Sequence, residues 1–171
     1  MNENKFYSKR NIEVFNSPLE LGLRALIILK EASPVSLDLN RLIIYDYLVT
    51  HSGDVDKSVK SLHPAIPHRS GEIVIKRKIM HEGINLMCSR ELIDIVYTQD
   101  GIHYKANILS EYFIKYFDSP YAKSMVQYSK WLNQRFKNYS DHELNEFINK
   151  NISKWGSEFT KESLVRGVFS E

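Results

Sequence analysis

Two consecutive segments of the chain are apolar on nearly every side, and this feature constrains the fold more than any other. Residues 19–31 form the first segment, a predicted helix in which three polar side chains share one narrow edge: Glu20, Arg24 and Glu31. Residues 39–50 form the second, after Pro34 has ended the first helix. A helix with so little polar surface must be buried on most of its sides. The two segments therefore predict a pair of core helices.

Asp46 lies inside the apolar arc of the second core helix, beside Leu42 and Ile43. A carboxylate buried there needs a cation or a hydrogen-bond donor as its partner. In the first core helix, Glu20 and Arg24 stand at the i, i+4 spacing of a helical ion pair. We interpret Asp46 as part of a structural ion pair or hydrogen bond rather than as a catalytic carboxylate.

Turn and capping signals order the rest of the chain. Residues 92–97 and 102–106 flank an Asp100-Gly101 turn and are rich in β-branched and aromatic side chains, which predicts a β-hairpin. Helices predicted over 72–89 and 107–117 complete the element order of a winged helix. We therefore predict a mainly α fold with a small β-hairpin, organised as an N-terminal arm (1–17), a winged-helix-like domain (18–118) and an extension of C-terminal amphipathic helices (119–171).

Composition limits the location of the protein and the partners it can bind. The chain has 171 residues and a formal net charge of +2, which argues against a polyanion-binding mode based on bulk charge. Its apolar runs are much shorter than the roughly 20 residues of a membrane span. The N-terminus lacks the apolar centre of a signal peptide, and the single cysteine, Cys88, permits no internal disulfide. We expect a cytoplasmic protein.

The residue patterns argue against catalysis and against a bound cofactor. None of the seven glycines lies in a phosphate-binding glycine-rich motif. Cys88 falls late in a predicted helix, where a lone cysteine usually packs as a small apolar residue. A metal site is a weak alternative for one group of polar residues, because their spacing matches no metal-ligand motif and is better explained by the ordinary polarity of a loop. The group is His51, Asp54, Asp56, His63 and His68.

Basic side chains gather on one edge of helix 72–89, on the hairpin and on the helix that begins at Ser119-Pro120. Two interpretations are open: contact with nucleic-acid phosphates, or a solvated face balanced by nearby glutamates. The candidate nucleic-acid contacts are Arg69, Lys76, Arg77, Lys78, His81, His103, Lys105, Lys123, Lys130 and Lys137.

Contacts with a protein partner are predicted on two segments. The loop over 62–71 contains two prolines, which fix the backbone and present His63 and His68 from a stiff platform. The amphipathic helix that begins after Ser140, with the tail behind it, carries more apolar surface than a short extension needs. Two interpretations are open, packing on the protein's own core and docking on another protein. The residues that would dock are Leu144, Phe147, Ile148, Ile152, Trp155 and Phe159.

Four separate segments of the chain resemble one known family, in the same order. They are FNSPLELGLRAL (15–26), DYLVTHSGD (46–54), LHPAIPHRSGE (62–72) and SPYA (119–122). In these segments the chain resembles the middle components of prokaryotic ABC-three-component systems, a class to which the Lamassu defence operons belong. The resemblance covers about residues 15–136.

The resemblance implies a small non-catalytic subunit without a cofactor of its own. Such a subunit would sit between an SMC-like ABC ATPase that detects foreign DNA and an effector, often a nuclease, and would meet DNA only within that complex. The leading alternative is a homodimeric winged-helix transcriptional regulator that reads duplex DNA through Arg77, Lys78 and His81. A metal-dependent hydrolase built on residues 51–68 is a distant third.

Overall fold

The computed structural model describes residues 16–64 and 72–155, which form a mainly helical fold with one small antiparallel sheet. The helices are α1 (Pro18–Ala32), α2 (Leu39–Thr50), α3 (Ser52–Val55), α4 (Glu72–Ser89), α5 (Ile108–Ile114), α6 (Pro120–Phe136) and α7 (Asp141–Ile152). The strands are β1 (Leu37–Asp38), β2 (Ile93–Thr98) and β3 (Gly101–Ala106). The predicted fold class is confirmed, whereas the winged-helix assignment and the domain boundaries stay predictions.

Side-chain caps start the helices where the sequence predicts them. The Ser17 side chain accepts a hydrogen bond from the Glu20 backbone N–H, and Pro18 fills the first helical position of α1. The side chains of Asp38 and Ser119 cap α2 and α6 in the same way. Ser140 opens α7 with a reciprocal capping box. These local signals fix the boundaries of the helices that surround the core.

The sheet has the strand order β1–β3–β2, and every pairing in it is antiparallel. The hairpin of β2 and β3 forms as predicted, but its turn residues are Gln99 and Asp100 rather than Asp100 and Gly101. Gly101 begins β3 at a φ of +125°. Strand β1 was not predicted, because two residues carry no period-two pattern. The helix predicted over 107–117 is too long, since α5 ends at Ile114.

The core forms around α1 and α2, which are buried along most of their length as their sequences predict. Side chains from α4, the hairpin, α6 and α7 complete it. In the described part of the chain, no helix is both long enough and apolar enough to cross a membrane.

Helices α1 and α4 cross with their backbones in direct contact at Gly22 and Gly83. A Cβ atom added to Gly22 would lie 2.6 Å from the Gly83 carbonyl oxygen, and one added to Gly83 would lie 2.4 Å from the Pro18 carbonyl oxygen. Only glycine fits at either position, because both nearest atoms belong to backbone that cannot move aside. The crossing therefore fixes how close the two helices lie.

We expect Gly22→Ala to lower the free energy of unfolding by about 2–3 kcal/mol, the cost of overpacking a close-packed contact. The better helix propensity of alanine, about 1 kcal/mol, is too small to offset the clash. Urea denaturation measures the loss. Leu19→Ala, at a position on α1 that is 54% exposed, is the control and should change stability little. An unchanged unfolding midpoint for Gly22→Ala would contradict the crossing geometry.

Candidate functional site

A cluster of buried charges joins α1, α2 and α4. The Arg24 guanidinium donates two hydrogen bonds to the Asp46 carboxylate, from Nε at 2.6 Å and from Nη2 at 2.7 Å. A third donor, Nη1, bonds Glu20 Oε1 at 2.7 Å. Lys76 of α4 places its Nζ 3.6 Å from Asp46 Oδ2. The prediction that Asp46 is a paired structural carboxylate is confirmed.

Both partners in the central pair remain charged despite their burial. Burial alone would raise the pKa of Asp46, but Arg24 and then Lys76 outweigh it and hold that pKa below its usual range. For Arg24, burial opposes the charge, and the Asp46 carboxylate more than offsets this and raises the pKa. The cluster is an ion network that holds three helices together, not an acid–base pair prepared for proton transfer.

The prediction that Lys76 contacts nucleic acid is wrong. Its side chain is almost fully buried and points at Asp46, so its ammonium group cannot reach a phosphate. The neighbouring Arg77, Lys78 and His81 are exposed on α4, as a basic edge requires. Lys78 also lies 3.9 Å from Glu82, an exposed pair that neutralises part of this edge.

The other candidate nucleic-acid contacts lie on separate elements. Lys123, Lys130 and Lys137 are exposed on and just after α6, with Lys123 3.6 Å from Asp118. His103 and Lys105 are only partly exposed on β3, where Lys105 pairs across the hairpin with Asp94. Arg69 lies outside the described residues. Nucleic-acid contact by the exposed residues stays a prediction.

The loop histidine His63 contacts the core edge. Its Nε2 lies 2.9 Å from the Tyr121 hydroxyl on α6, and its ring stacks on the Tyr121 ring. Burial, followed by the nearby charges of Arg24 and Lys76, lowers its pKa to about 4, so the ring is neutral at physiological pH. Contact of His63 with a partner stays a prediction, and His68 lies outside the described residues.

The apolar face of α7 packs on the protein's own core, which favours the self-packing interpretation over docking on another protein. Trp155 is buried and stacks on Tyr47 of α2, with ring centroids 5.2 Å apart. Phe147 packs against Phe136 of α6. The remaining predicted contacts on α7 belong to the same core, either buried or packed against it: Leu144, Ile148 and Ile152. Phe159 lies outside the described residues.

Arg41 explains why α7 folds back. Its guanidinium bonds Asp141, at the start of α7, at 2.7 Å, and it donates to the Tyr139 and Phe136 carbonyl oxygens at 2.8 and 3.0 Å. These bonds tie the turn between α6 and α7 to α2. The sequence pattern identifies an apolar face on α7 but not the surface that covers it.

The hairpin carries the exposed apolar surface that the sequence analysis missed. Ile95 pairs with Tyr104, and Tyr97 with Ile102, so all four side chains lie on one face of the hairpin. At the base, this face is buried against the core by Ile93, Tyr104 and Ala106. Nearer the turn the face is open, and Tyr97 is 79% exposed beside exposed Ile95 and Ile102. We call these three side chains the distal hairpin face.

Two further features bear on the candidate chemistry of the described residues. These residues contain no group of three or more histidine, cysteine or acidic side chains that could hold a metal ion. Burial, together with the charge of Asp94, raises the pKa of the Cys88 thiol, which disfavours the nucleophilic thiolate.

The comparisons with known proteins identify a family. The family model described as ABC-three component (ABC-3C) system Middle Component 2 matches residues 14–158 of the chain. No curated protein and no solved structure gives a significant match.

We expect Asp46→Asn to lower the free energy of unfolding by about 3–5 kcal/mol, because it leaves the charges of Arg24 and Lys76 buried without their carboxylate. Thermal and urea unfolding measure the loss. Glu82→Gln breaks an exposed ion pair and serves as the matched control, with an expected change below about 1 kcal/mol. Equal effects of the two substitutions would show that the buried network does not hold the helices together.

Proposed function

We propose that this chain, which belongs to the middle component 2 family of ABC-three-component systems, is a non-catalytic adaptor subunit. In this proposal it bridges an SMC-like ABC ATPase that senses foreign DNA and an effector, often a nuclease, in a Lamassu-type defence complex. Membership of the family makes association with the other components the expected state of the chain. The finer assignment of partners rests on the surfaces that the fold exposes.

The observation that carries the proposal is the distal hairpin face. Ile95, Tyr97 and Ile102 are exposed to water, and burying their apolar surface against a partner would be favourable in free energy. An aromatic side chain with a polar tip between two aliphatic ones is the composition of a protein interface centre. We assign this face to the ATPase.

The core supports an adaptor role in a second way. The close contact of α1 with α4 and the ion network at Asp46 both resist sliding of one helix over another. A stiff body of this kind passes a displacement from one bound partner to another without absorbing it.

Co-expression of the tagged chain with the products of its neighbouring genes tests the adaptor proposal. We expect the ATPase and the effector to co-purify with the wild-type chain. The double substitution Tyr97→Asp with Ile102→Asp should reduce ATPase recovery by roughly tenfold or more, since aspartates cannot be buried unpaired in an interface. Gln99→Asp, which adds one negative charge in the turn outside the face, is the control for added charge on the hairpin.

Circular dichroism of each variant checks that the chain still folds. We expect that it does, because both substituted positions are exposed. Full ATPase recovery by the folded double variant would remove the hairpin from the interface. Absence of any complex with the wild-type chain would contradict the adaptor proposal itself.

The basic edge of α4 favours a second candidate, the homodimeric winged-helix regulator. Exposure of Arg77, Lys78 and His81 along one helix is what contact with duplex DNA needs. In that case the isolated chain should bind duplex DNA with an affinity that falls steeply with salt, and Arg77→Glu with Lys78→Glu should weaken binding by roughly tenfold or more.

Fluorescence anisotropy with labelled duplex DNA at two salt concentrations makes this measurement. Lys150→Glu, a charge reversal at an exposed position on α7, is the control and reproduces half of the change in net charge at a site away from α4. An isolated chain that shows no salt-dependent DNA binding would exclude the regulator.

A further inference from the structure

A second apolar surface lies on α5, which the adaptor proposal does not use. Its large side chains at 108, 109, 112 and 113, and Tyr116 just beyond its end, recur at the spacing of one helix face. All five are between 39% and 83% exposed: Ile108, Leu109, Tyr112, Phe113 and Tyr116. The opposite side of the helix is buried through Ser110 and Ile114. We call the five exposed residues the α5 face.

Hydrogen bonds at its N-terminus hold α5 in place. The Asn107 side chain accepts from the backbone N–H groups of Leu109 and Ser110 and donates to the Glu91 carbonyl oxygen and the Asp94 carboxylate. The α5 face is therefore presented on an anchored helix, at the base of the hairpin. Binding to it costs little ordering of the backbone.

The α5 face is large enough for an interface between two copies. A fully exposed large apolar residue has about 200 Å² of surface, so the five members together leave about 570 Å² in water, near the upper end of the largest patch on a typical monomer. Two such faces would remove about 1,100 Å² on pairing, which exceeds the roughly 1,000 Å² expected of a biological interface.

The charges beside the α5 face complement a second copy of the same helix. Glu111 and Lys115 lie on the same edge of the face, on opposite sides of Phe113 along the helix, and form an ion pair at 3.7 Å within the chain. A two-fold axis that passes between the two α5 helices at the level of Phe113 makes the helices antiparallel. It also places the same edge of each helix on the same side of the interface. Glu111 of each copy then opposes Lys115 of the other, twice in one interface.

From this geometry we propose that two copies of the chain associate through the α5 face. The interface is isologous, with an apolar centre and two symmetric ion pairs at its edge. It is separate from the distal hairpin face, so each copy keeps its hairpin free for a different partner.

Charge reversal followed by charge exchange tests the pairing in the full chain. Sedimentation equilibrium of the wild type at about 50 µM should give twice the 20.0 kDa chain mass. Glu111→Lys alone and Lys115→Glu alone should each raise the dimer dissociation constant by roughly tenfold, because each sets like charges against each other twice. The double variant Glu111→Lys with Lys115→Glu restores both opposing pairs and should recover the wild-type constant.

Leu109→Asp places an unpaired charge within the α5 face and should give a folded monomer. A wild-type chain that stays monomeric at about 200 µM would overturn the proposal. So would a dimer that none of these substitutions weakens, or a charge exchange that fails to recover association. The Leu109→Asp chain could also still form a dimer but no longer bind the ATPase or the effector. That result would assign the α5 face to the lost partner instead.

Discussion

The close contact of α1 and α4 at Gly22 and Gly83 is the constraint on which the rest of the fold depends. Since neither position leaves room for a Cβ atom, the two helices lie nearer each other than side chains usually allow. Lys76 stands two helical turns before Gly83 on α4, and from there it reaches Asp46, which Arg24 of α1 already binds. A backbone contact thus brings a third helix to the charge cluster.

The ion network supplies orientation more than stability. Two cations and two carboxylates meet in it, and the Arg24–Asp46 pair is nearly excluded from water, where desolvation offsets much of the attraction between the charges. A rotated α2 would leave Asp46 buried without Arg24, at a cost of several kcal/mol. We therefore interpret the network as the device that selects one rotation of α1, α2 and α4 among the many packings open to helices that are apolar on most sides.

Local signals in the sequence predicted where the helices and the hairpin lie. Which of their side chains are buried was decided by long-range packing. Ser17, Asp38 and Ser140 act on backbone a few residues away, so their caps can be read from the chain alone. The burial of Lys76 could not be predicted from the sequence. Its neighbours on α4 are also basic, and only the approach of Asp46 on α2 makes its environment different from theirs. The same holds for Trp155, whose amphipathic pattern is as typical of a core contact as of a docking surface. The exposed apolar face of the hairpin was missed for the same reason, because the point along β2 where the core stops covering it depends on the tertiary fold.

The hydrogen bonds of Asn107 connect the helix that carries the α5 face to the hairpin that carries the distal hairpin face. Its side chain joins the start of α5 to Glu91 and Asp94 at the base of the hairpin, so the hairpin base and the start of α5 are held together. If two copies associate through α5, the same bonds fix the spacing and direction of the two hairpins. A partner that binds both hairpins would then act on one two-fold body, and such a body responds to a change in the distance between its two binding points.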